Sequence, residues 1–156
     1  MQTLAEVIDE LPALRSLTPA HRETLAGCAR NQVFQPGEEI MREGDAADAF
    51  YIVRHGAVAI TTQVPGRGEI TIETLHAGEL LGWSWLVEPY RNAFGARAIG
   101  DVTRVLALDG VCLRGKCDAD PALGYALLKI LSTVFVARLQ DTRLRLLDLY
   151  GKGSGA

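Results

Sequence analysis

Residues 76–98 decide the fold, and they read HAGELLGWSWLVEPYRNAFGARA. Gly82 lies directly before a short apolar segment, residues 83–87. A glycine turn that leads into a short helix would gather free backbone N–H groups and the positive end of a helix dipole at one point. Such a point attracts an anion, phosphate in particular, and the guanidinium of Arg91 would suit two phosphate oxygens. The predicted ligand-binding residues are Gly82, Trp83, Ser84, Trp85, Arg91, Asn92 and Ala93.

Short β-prone segments lie on both sides of this stretch. Two of them surround a turn at Pro36-Gly37, and the runs 49–54 and 57–64 are separated by His55-Gly56. Residues 65–68 form a predicted hairpin tip, after which residues 69–75 alternate between apolar and polar side chains. The segments 95–99 and 104–108 complete the series. Roughly eight short strands with turn residues between them predict a sandwich or jelly roll.

Helices are predicted at both ends of the chain. Thr3 begins a capping box, and Thr18 and Asp120 each precede a proline at a first helical position. The predicted organisation is N-terminal helices in 1–30, a β-jelly roll in 31–108 with a phosphate-binding-type cassette at 78–98, and C-terminal helices in 109–150. The long helix covers 121–150, and 151–156 are a flexible tail. The fold class is therefore α+β.

The long C-terminal helix carries apolar residues on two faces. One face contains Leu123, Leu127 and Ile130 and would pack on the sheet. The second face predicts a homodimer through the same helix of a second copy. Its predicted dimer contacts are Leu128, Leu131, Phe135, Leu139 and Leu146. Alternatively, the two faces merge into one wide buried surface.

Composition limits the classes of partner. With 156 residues and a net charge of −3, the chain fits one domain without non-specific attraction to nucleic acid or anionic membranes. No uninterrupted apolar run reaches the roughly eighteen residues of a membrane span. Cys28, Cys112 and Cys117 lack metal-ligand spacing, which predicts reduced thiols and a cytoplasmic location.

Catalytic chemistry finds little support in the sequence. The three histidines form no HxH pair, and Ser84 lacks the G-x-S-x-G environment of a nucleophilic serine. We therefore predict no enzyme activity, no catalytic residue and no metal site. Charged residues of the last helix, among them Arg138 and Asp141, are predicted to form a solvated face.

Four segments in order resemble a known family. They are PGEEIMREGD (36–45), FYIVRHGAVAI (50–60), GELLGWSWL (78–86) and RAIGDVTRVLALD (97–109), followed by the long helix. This arrangement resembles the cyclic nucleotide-binding domain, most closely the sensor half of the bacterial catabolite activator and fumarate–nitrate regulator (Crp/Fnr) transcription factors. The resemblance covers about residues 14–150. Turn glycines of that family match Gly37, Gly44, Gly56 and Gly78, and its cassette glycine matches Gly82.

The resemblance also implies roles for single positions. In nucleotide-binding members, a glutamate after the cassette glycine accepts a hydrogen bond from the ribose 2′-hydroxyl, and here that position is Trp83. The phosphate-binding arginine of the family falls on Asn92, next to Arg91. An indole has no acceptor, and a charge-assisted bond to a ligand hydroxyl contributes roughly 1.5–3 kcal/mol. Standard cyclic AMP binding is therefore not expected.

Three functions remain open at this stage. The first is a stand-alone sensor that binds a small anionic ligand, such as a cyclic nucleotide or another phosphorylated molecule, and signals through its last helix to a protein partner. The second is a degenerate, non-binding module for dimerisation or partner docking. The third is the sensor part of a Crp/Fnr-type regulator. No helix-turn-helix follows the long helix in this sequence, so we expect no direct nucleic-acid binding and no membrane association.

Overall fold

The computed structural model of the chain describes residues 1–154, beginning with two short helices. Helices α1 (Leu4–Glu10) and α2 (Pro19–Gly27) flank a 3-10 helix, Pro12–Leu14. The Thr3 hydroxyl accepts a hydrogen bond from the backbone N–H of Glu6, whose carboxylate accepts one from the N–H of Thr3. The Thr18 hydroxyl caps α2 in the same way. Both predicted helix starts are confirmed.

One antiparallel sheet forms the body of the molecule. Within the described residues its strands are β1 (Ala29–Phe34), β2 (Glu39–Met41), β3 (Ala49–Val64), β4 (Gly68–Leu75), β5 (Leu80–Leu81) and β6 (Gly95–Asp109). The order is β1-β6-β3-β4, while β2 pairs with β6 and β5 pairs with β3. Together with the flanking helices, this arrangement confirms the predicted α+β jelly roll.

Two predicted strand breaks are absent. Residues 49–54 and 57–64 belong to the single strand β3, and 95–99 and 104–108 to the single strand β6. β3 and β6 pair on both sides of His55, where the register shifts. Gly56 has a φ of +89°, and a Cβ there would lie 2.6 Å from the Thr103 hydroxyl oxygen. The His55-Gly56 signal therefore marks a bulge inside a continuous strand.

The central strands are buried on both faces, which divides the apolar interior into two cores. Successive side chains of a strand point to opposite faces. Phe50 and Ile52 consequently join a helix-side core with the terminal helices, while Tyr51 and Val53 join a barrel core. Trp83 packs against both cores, so the cassette lies at their junction.

The chain ends in two helices, α3 (Gly110–Ala119) and α4 (Pro121–Ser154). Leu123 and Leu127 of α4 are buried in the helix-side core, as predicted for the first face. The prediction of a flexible tail from residue 151 is wrong for 151–154, which continue α4; residues 155 and 156 lie outside the described part of the chain.

α4 is long and apolar enough to cross a membrane, although the sequence contains no uninterrupted apolar run of that length. By length and composition alone, Pro121–Gly151 could cross a membrane, with 17% of its most apolar window buried inside the protein. A single such helix is weak evidence for a membrane span, because core helices of soluble proteins satisfy the same criterion.

The prediction of three reduced thiols is wrong for two of them. Cys28, which follows α2, and Cys112, in the first turn of α3, form a disulfide across a sequence separation of 84 residues. The backbone brings them together because the N–H of Asp109 donates to the carbonyl of Cys28. Cys117 is free and buried, and burial raises the pKa of its thiol.

Candidate ligand-binding site

The cassette backbone turns sharply after β5. Gly82 has a φ of +94°, and a Cβ at this position would lie 3.3 Å from the carbonyl oxygen of Ala49. The N–H groups of Leu86 and Val87 donate to the carbonyls three residues earlier, at 3.1 and 3.3 Å. Residues 83–87 are therefore turns, and the predicted short helix does not form. The helix dipole that we expected at Gly82 is absent with it.

The two tryptophans point to different parts of the molecule, as predicted, although the helix on which that prediction depends does not form. Trp85 is fully buried in the helix-side core, where its ring stacks on Phe50 with the ring centroids 5.8 Å apart. Trp83 is half-buried and meets the rings of Phe94 and Phe135 edge-on, at 4.9 and 5.5 Å. Trp83 is thus the indole that lies between the cassette and α4.

Arg138 of α4 completes the site, although we predicted it on a solvated face. Its guanidinium lies 4.7 Å from the centre of the Trp83 ring. Nε is 3.5 Å from the Glu73 carboxylate, and Nη2 donates to the Leu80 carbonyl at 3.0 Å. The side chain is 14% exposed, and Nη1 is buried without a hydrogen-bond partner. Burial lowers the pKa of Arg138, while the nearby Glu73 and Glu79 carboxylates oppose that change.

The sequence did contain a signal for this position. Arg138 follows Ile130 and Val134 at intervals of four residues, so it continues the stripe with which α4 packs on the body of the molecule. The charge of Arg138 favoured the prediction of a solvated position, because arginine side chains are mostly exposed.

A small cavity lies between the cassette, the barrel and α4. Its volume is about 160 Å³, and its walls include Ile60, Glu73, Trp83, Phe94 and Arg138. Small-molecule pockets usually measure about 300–1,000 Å³. This cavity is therefore smaller than a usual small-molecule site.

Other predicted site residues stand apart from this cavity. Arg91 is exposed, and its Nη1 donates to the carbonyl of Gly44 at 3.1 Å. Asn92 is buried, and its side-chain amide donates to the carbonyl of Arg42 at 3.0 Å. Both side chains thus bind the loop after β2. The structure brings Trp83 to the cavity, but it holds Arg91 and Asn92 against this loop.

The remaining predicted ligand-binding and dimer residues differ in their exposure. Ser84 is buried, and its carbonyl oxygen accepts the hydrogen bond from Val87. Ala93 is exposed. Of the predicted dimer residues, Leu128, Leu139 and Leu146 are 48–63% exposed. Leu131 is buried in the helix-side core and Phe135 contacts Trp83, so the face open to a partner is narrower than predicted.

Comparisons with known proteins agree on the family. The model of the cyclic nucleotide-binding domain matches residues 31–120. A type II regulatory subunit of cAMP-dependent protein kinase from Drosophila melanogaster is 30% identical over 104 residues, 67% of this chain and 27% of that protein. The chain thus spans about a quarter of the length of that relative.

Solved structures show the same fold. One is a protein of Geobacter metallireducens assigned to the cyclic nucleotide-binding proteins, with a TM-score of 0.78, 25% identity and coverage of 89% of this chain and 99% of that one. Another is the catabolite activator protein of Thermus thermophilus, with a TM-score of 0.67, 26% identity and coverage of 88% and 63%. The chain belongs to the cyclic nucleotide-binding domain family and resembles its Crp/Fnr-type members.

Proposed function

We propose that this chain is a regulatory sensor without enzyme activity, which binds a small anionic ligand between its cassette and α4. The observation that carries the proposal is Arg138, a largely buried side chain whose guanidinium nitrogen Nη1 has no hydrogen-bond partner. Burying a charged donor without a full set of acceptors costs free energy, and an anionic ligand would supply the missing acceptor.

The proposed binding step requires α4 to move. The cavity of about 160 Å³ is too small for a nucleotide, and Arg138, Thr142 and Arg145 of α4 form one of its walls. A ligand would therefore favour a second packing in which α4 lies farther from Trp83, while Arg138 remains in contact with the ligand. This is a population shift between two arrangements of the helix, and it would carry the signal.

In the proposal, Arg91 and the cassette backbone provide further hydrogen-bond donors to the anion. Gly82 and Ser84 would face the anion with their backbone N–H groups. Arg91, which stands apart from the cavity here, would leave the Gly44 carbonyl and move toward a ligand oxygen. This exchange is inexpensive because the Arg91 side chain is exposed and its present bond is to a single neutral acceptor.

Standard cyclic AMP recognition is not part of the proposal. Trp83 stands where the matching position of the family holds a glutamate, and it offers no acceptor to a ribose hydroxyl. The loss of that charge-assisted bond corresponds to about ten- to over a hundredfold in affinity. The ligand class is therefore a phosphorylated or cyclic-nucleotide-like anion whose flat part stacks on Trp83.

The output of the sensor would be protein contact. We infer a homodimer through the exposed residues of α4, with a protein partner as the receiver of the signal. The cytoplasmic location stays a prediction, and the Cys28–Cys112 disulfide removes the reduced-thiol argument for it.

One observation favours the alternative of a non-binding docking module. Trp83, Phe94 and Phe135 fill the cassette with mutual edge-on contacts, as they would in a site that has lost its ligand. A titration separates the two functions. Cyclic AMP, cyclic GMP and inorganic phosphate would each be added to the full chain, and binding would be followed by calorimetry and by tryptophan fluorescence.

For the sensor, we expect binding of at least one nucleotide with a fluorescence change that Trp83→Phe removes. Trp85 is buried against Phe50, so its emission should stay constant. Arg138→Met and Arg91→Ala should each lower the affinity by about tenfold or more, whereas the exposed control Arg143→Met should not. The absence of heat and of a fluorescence change up to about 1 mM ligand, which corresponds to only about 4 kcal/mol, would favour the docking module.

A further inference from the structure

A second cleft lies at the start of the cassette, on the side of the 3-10 helix, and has no role in the function proposed above. It measures about 550 Å³, which is within the roughly 300–1,000 Å³ of small-molecule sites. Three parts of the chain form its walls: residues around the 3-10 helix, the connection between β4 and β5, and one face of α4.

The cleft has an apolar floor that small residues leave open. Leu75, Leu80, Ile130 and Val134 provide the floor, where the helix-side and barrel cores meet. The wall formed by the 3-10 helix and the β4–β5 connection carries Ala13, Ser16 and Gly78, whose side chains are too small to fill the space. This surface suits a compact apolar body.

The charged residues at the rim of the cleft determine which polar group a bound small molecule would carry. Glu73 and Arg138 are paired with each other, and Lys129 lies over the ring of Tyr125 at 5.3 Å. Asp141 makes no hydrogen bond or ion pair with a described residue, and Glu79 uses only one oxygen, which accepts from the N–H of His76. Asp141 and Glu79 therefore have carboxylate oxygens without a hydrogen-bond donor among the described residues. Arg138, whose Nη1 has no hydrogen-bond partner, lines the same cleft, and Glu79 also acts on the charge of that guanidinium.

We propose that this cleft is a second ligand site, which binds a small molecule with an apolar body and a primary ammonium group. The apolar body would cover Leu80, Ile130 and Val134, and the ammonium would bind Asp141 and Glu79 as an ion pair with hydrogen bonds. The proposed ammonium contacts need neither Trp83 nor Arg91, although the cleft shares Glu73, Arg138 and Asp141 with the cassette cavity.

A ligand in this cleft would hold α4 on the barrel. It would contact α4 and the β4–β5 connection at the same time, and the Arg138–Glu73 pair is a wall of both this cleft and the cassette cavity. An ammonium ligand would thus favour the arrangement of α4 described here, the opposite of what we propose for the anion.

Three probes with one alkyl chain and different head groups test the proposal: n-hexylamine, 1-hexanol and hexanoate. Amide chemical shifts of the full chain would be followed by NMR during each titration, without any nucleotide. We expect n-hexylamine to bind at least tenfold more tightly than hexanoate, with shift changes confined to residues 75–80 and 129–141. Equal affinities for the three probes would overturn the proposed charge recognition.

Two variants and one control complete the test. Asp141→Asn should weaken n-hexylamine binding about fivefold or more, whereas Asp148→Asn, an exposed carboxylate farther along α4, should leave it unchanged. Ala137→Phe introduces a ring into the cleft from an exposed helix position and should abolish binding. Shift changes that spread over residues 144–150 in place of the cleft would indicate adsorption on the exposed leucines and would refute the site.

Discussion

The two halves of α4 both contain several leucines, four in residues 121–134 and five in residues 139–150, but most of these leucines have opposite surroundings in the two halves. In the proximal half, residues 121–134, Leu123, Leu127 and Leu131 are at most 2% exposed. In the distal half, residues 139–150, every leucine is at least 51% exposed. Burial along this helix is therefore set by where the body of the molecule ends. Apolar content alone would have predicted the same environment for both halves.

This contrast assigns different tasks to the two halves. Leu123, Leu127 and Leu131 of the proximal half belong to the fold, because they fill the core between α3, the N-terminal helices and the sheet, whereas Leu128 of this half is 48% exposed. Exposed apolar residues of the distal half contribute nothing to that core, and a large exposed apolar surface is typical of an interaction site. Arg138 lies at the boundary, where the helix leaves the core and passes the cassette.

The largest expected effect is on stability and distinguishes the halves directly. Leu127→Ala should lower the free energy of unfolding by about 2–5 kcal/mol, because it opens a cavity in a filled core. The matched control Leu147→Ala, at 64% exposure, should change it by less than about 0.5 kcal/mol. Urea unfolding at a concentration where the protein is monomeric measures both. Similar losses for the two variants would mean that the distal half packs against the body in solution.

A second prediction concerns self-association. Leu146→Glu introduces a charge on the exposed distal face and should weaken the dimer at least tenfold, or about 1.4 kcal/mol. It should not alter the unfolding of the monomer. Sedimentation equilibrium of the wild type and the variant gives the two dissociation constants. A wild-type chain that stays monomeric at all concentrations would contradict the assignment of this face to a second copy.

The smallest expected effect lies at the boundary. Arg138→Met keeps the apolar part of the side chain and removes a charge that is costly to bury, so it should change stability by less than about 1 kcal/mol. Glu73→Gln leaves the guanidinium without its carboxylate and should cost about 1–2 kcal/mol. Thermal unfolding of both variants tests this order. A larger loss for Arg138→Met would show that the pair stabilises α4 by more than the desolvation of the arginine costs.

The features that the sequence predicted well depend on near neighbours. The capping residues Thr3 and Thr18 act within one helical turn, and the hairpin tip at 65–68 joins β3 and β4 directly. In each case the physical cause lies within a few residues, so a single sequence contains it.

The features that it missed depend on distant partners. Arg138 is buried because Glu73 and the Leu80 carbonyl receive it, and neither is near α4 in the chain. The cassette residues 83–87 form turns that place Trp85 in the helix-side core and Trp83 at the junction of the two cores, which are built from distant parts of the chain. The Cys28–Cys112 disulfide depends on the pairing of β1 with β6. No local pattern distinguishes these arrangements from their alternatives.

The Cys28–Cys112 disulfide has a consequence for the continuity of the molecule. Because β1 begins at residue 29 and β6 ends at residue 109, all the strands described here lie between the two cysteines. The whole jelly roll is therefore a covalently closed ring from which the N-terminal helices and α4 emerge. A protease that cuts the ring once, for example at the hairpin tip, would leave a single molecule whose two fragments separate only after reduction.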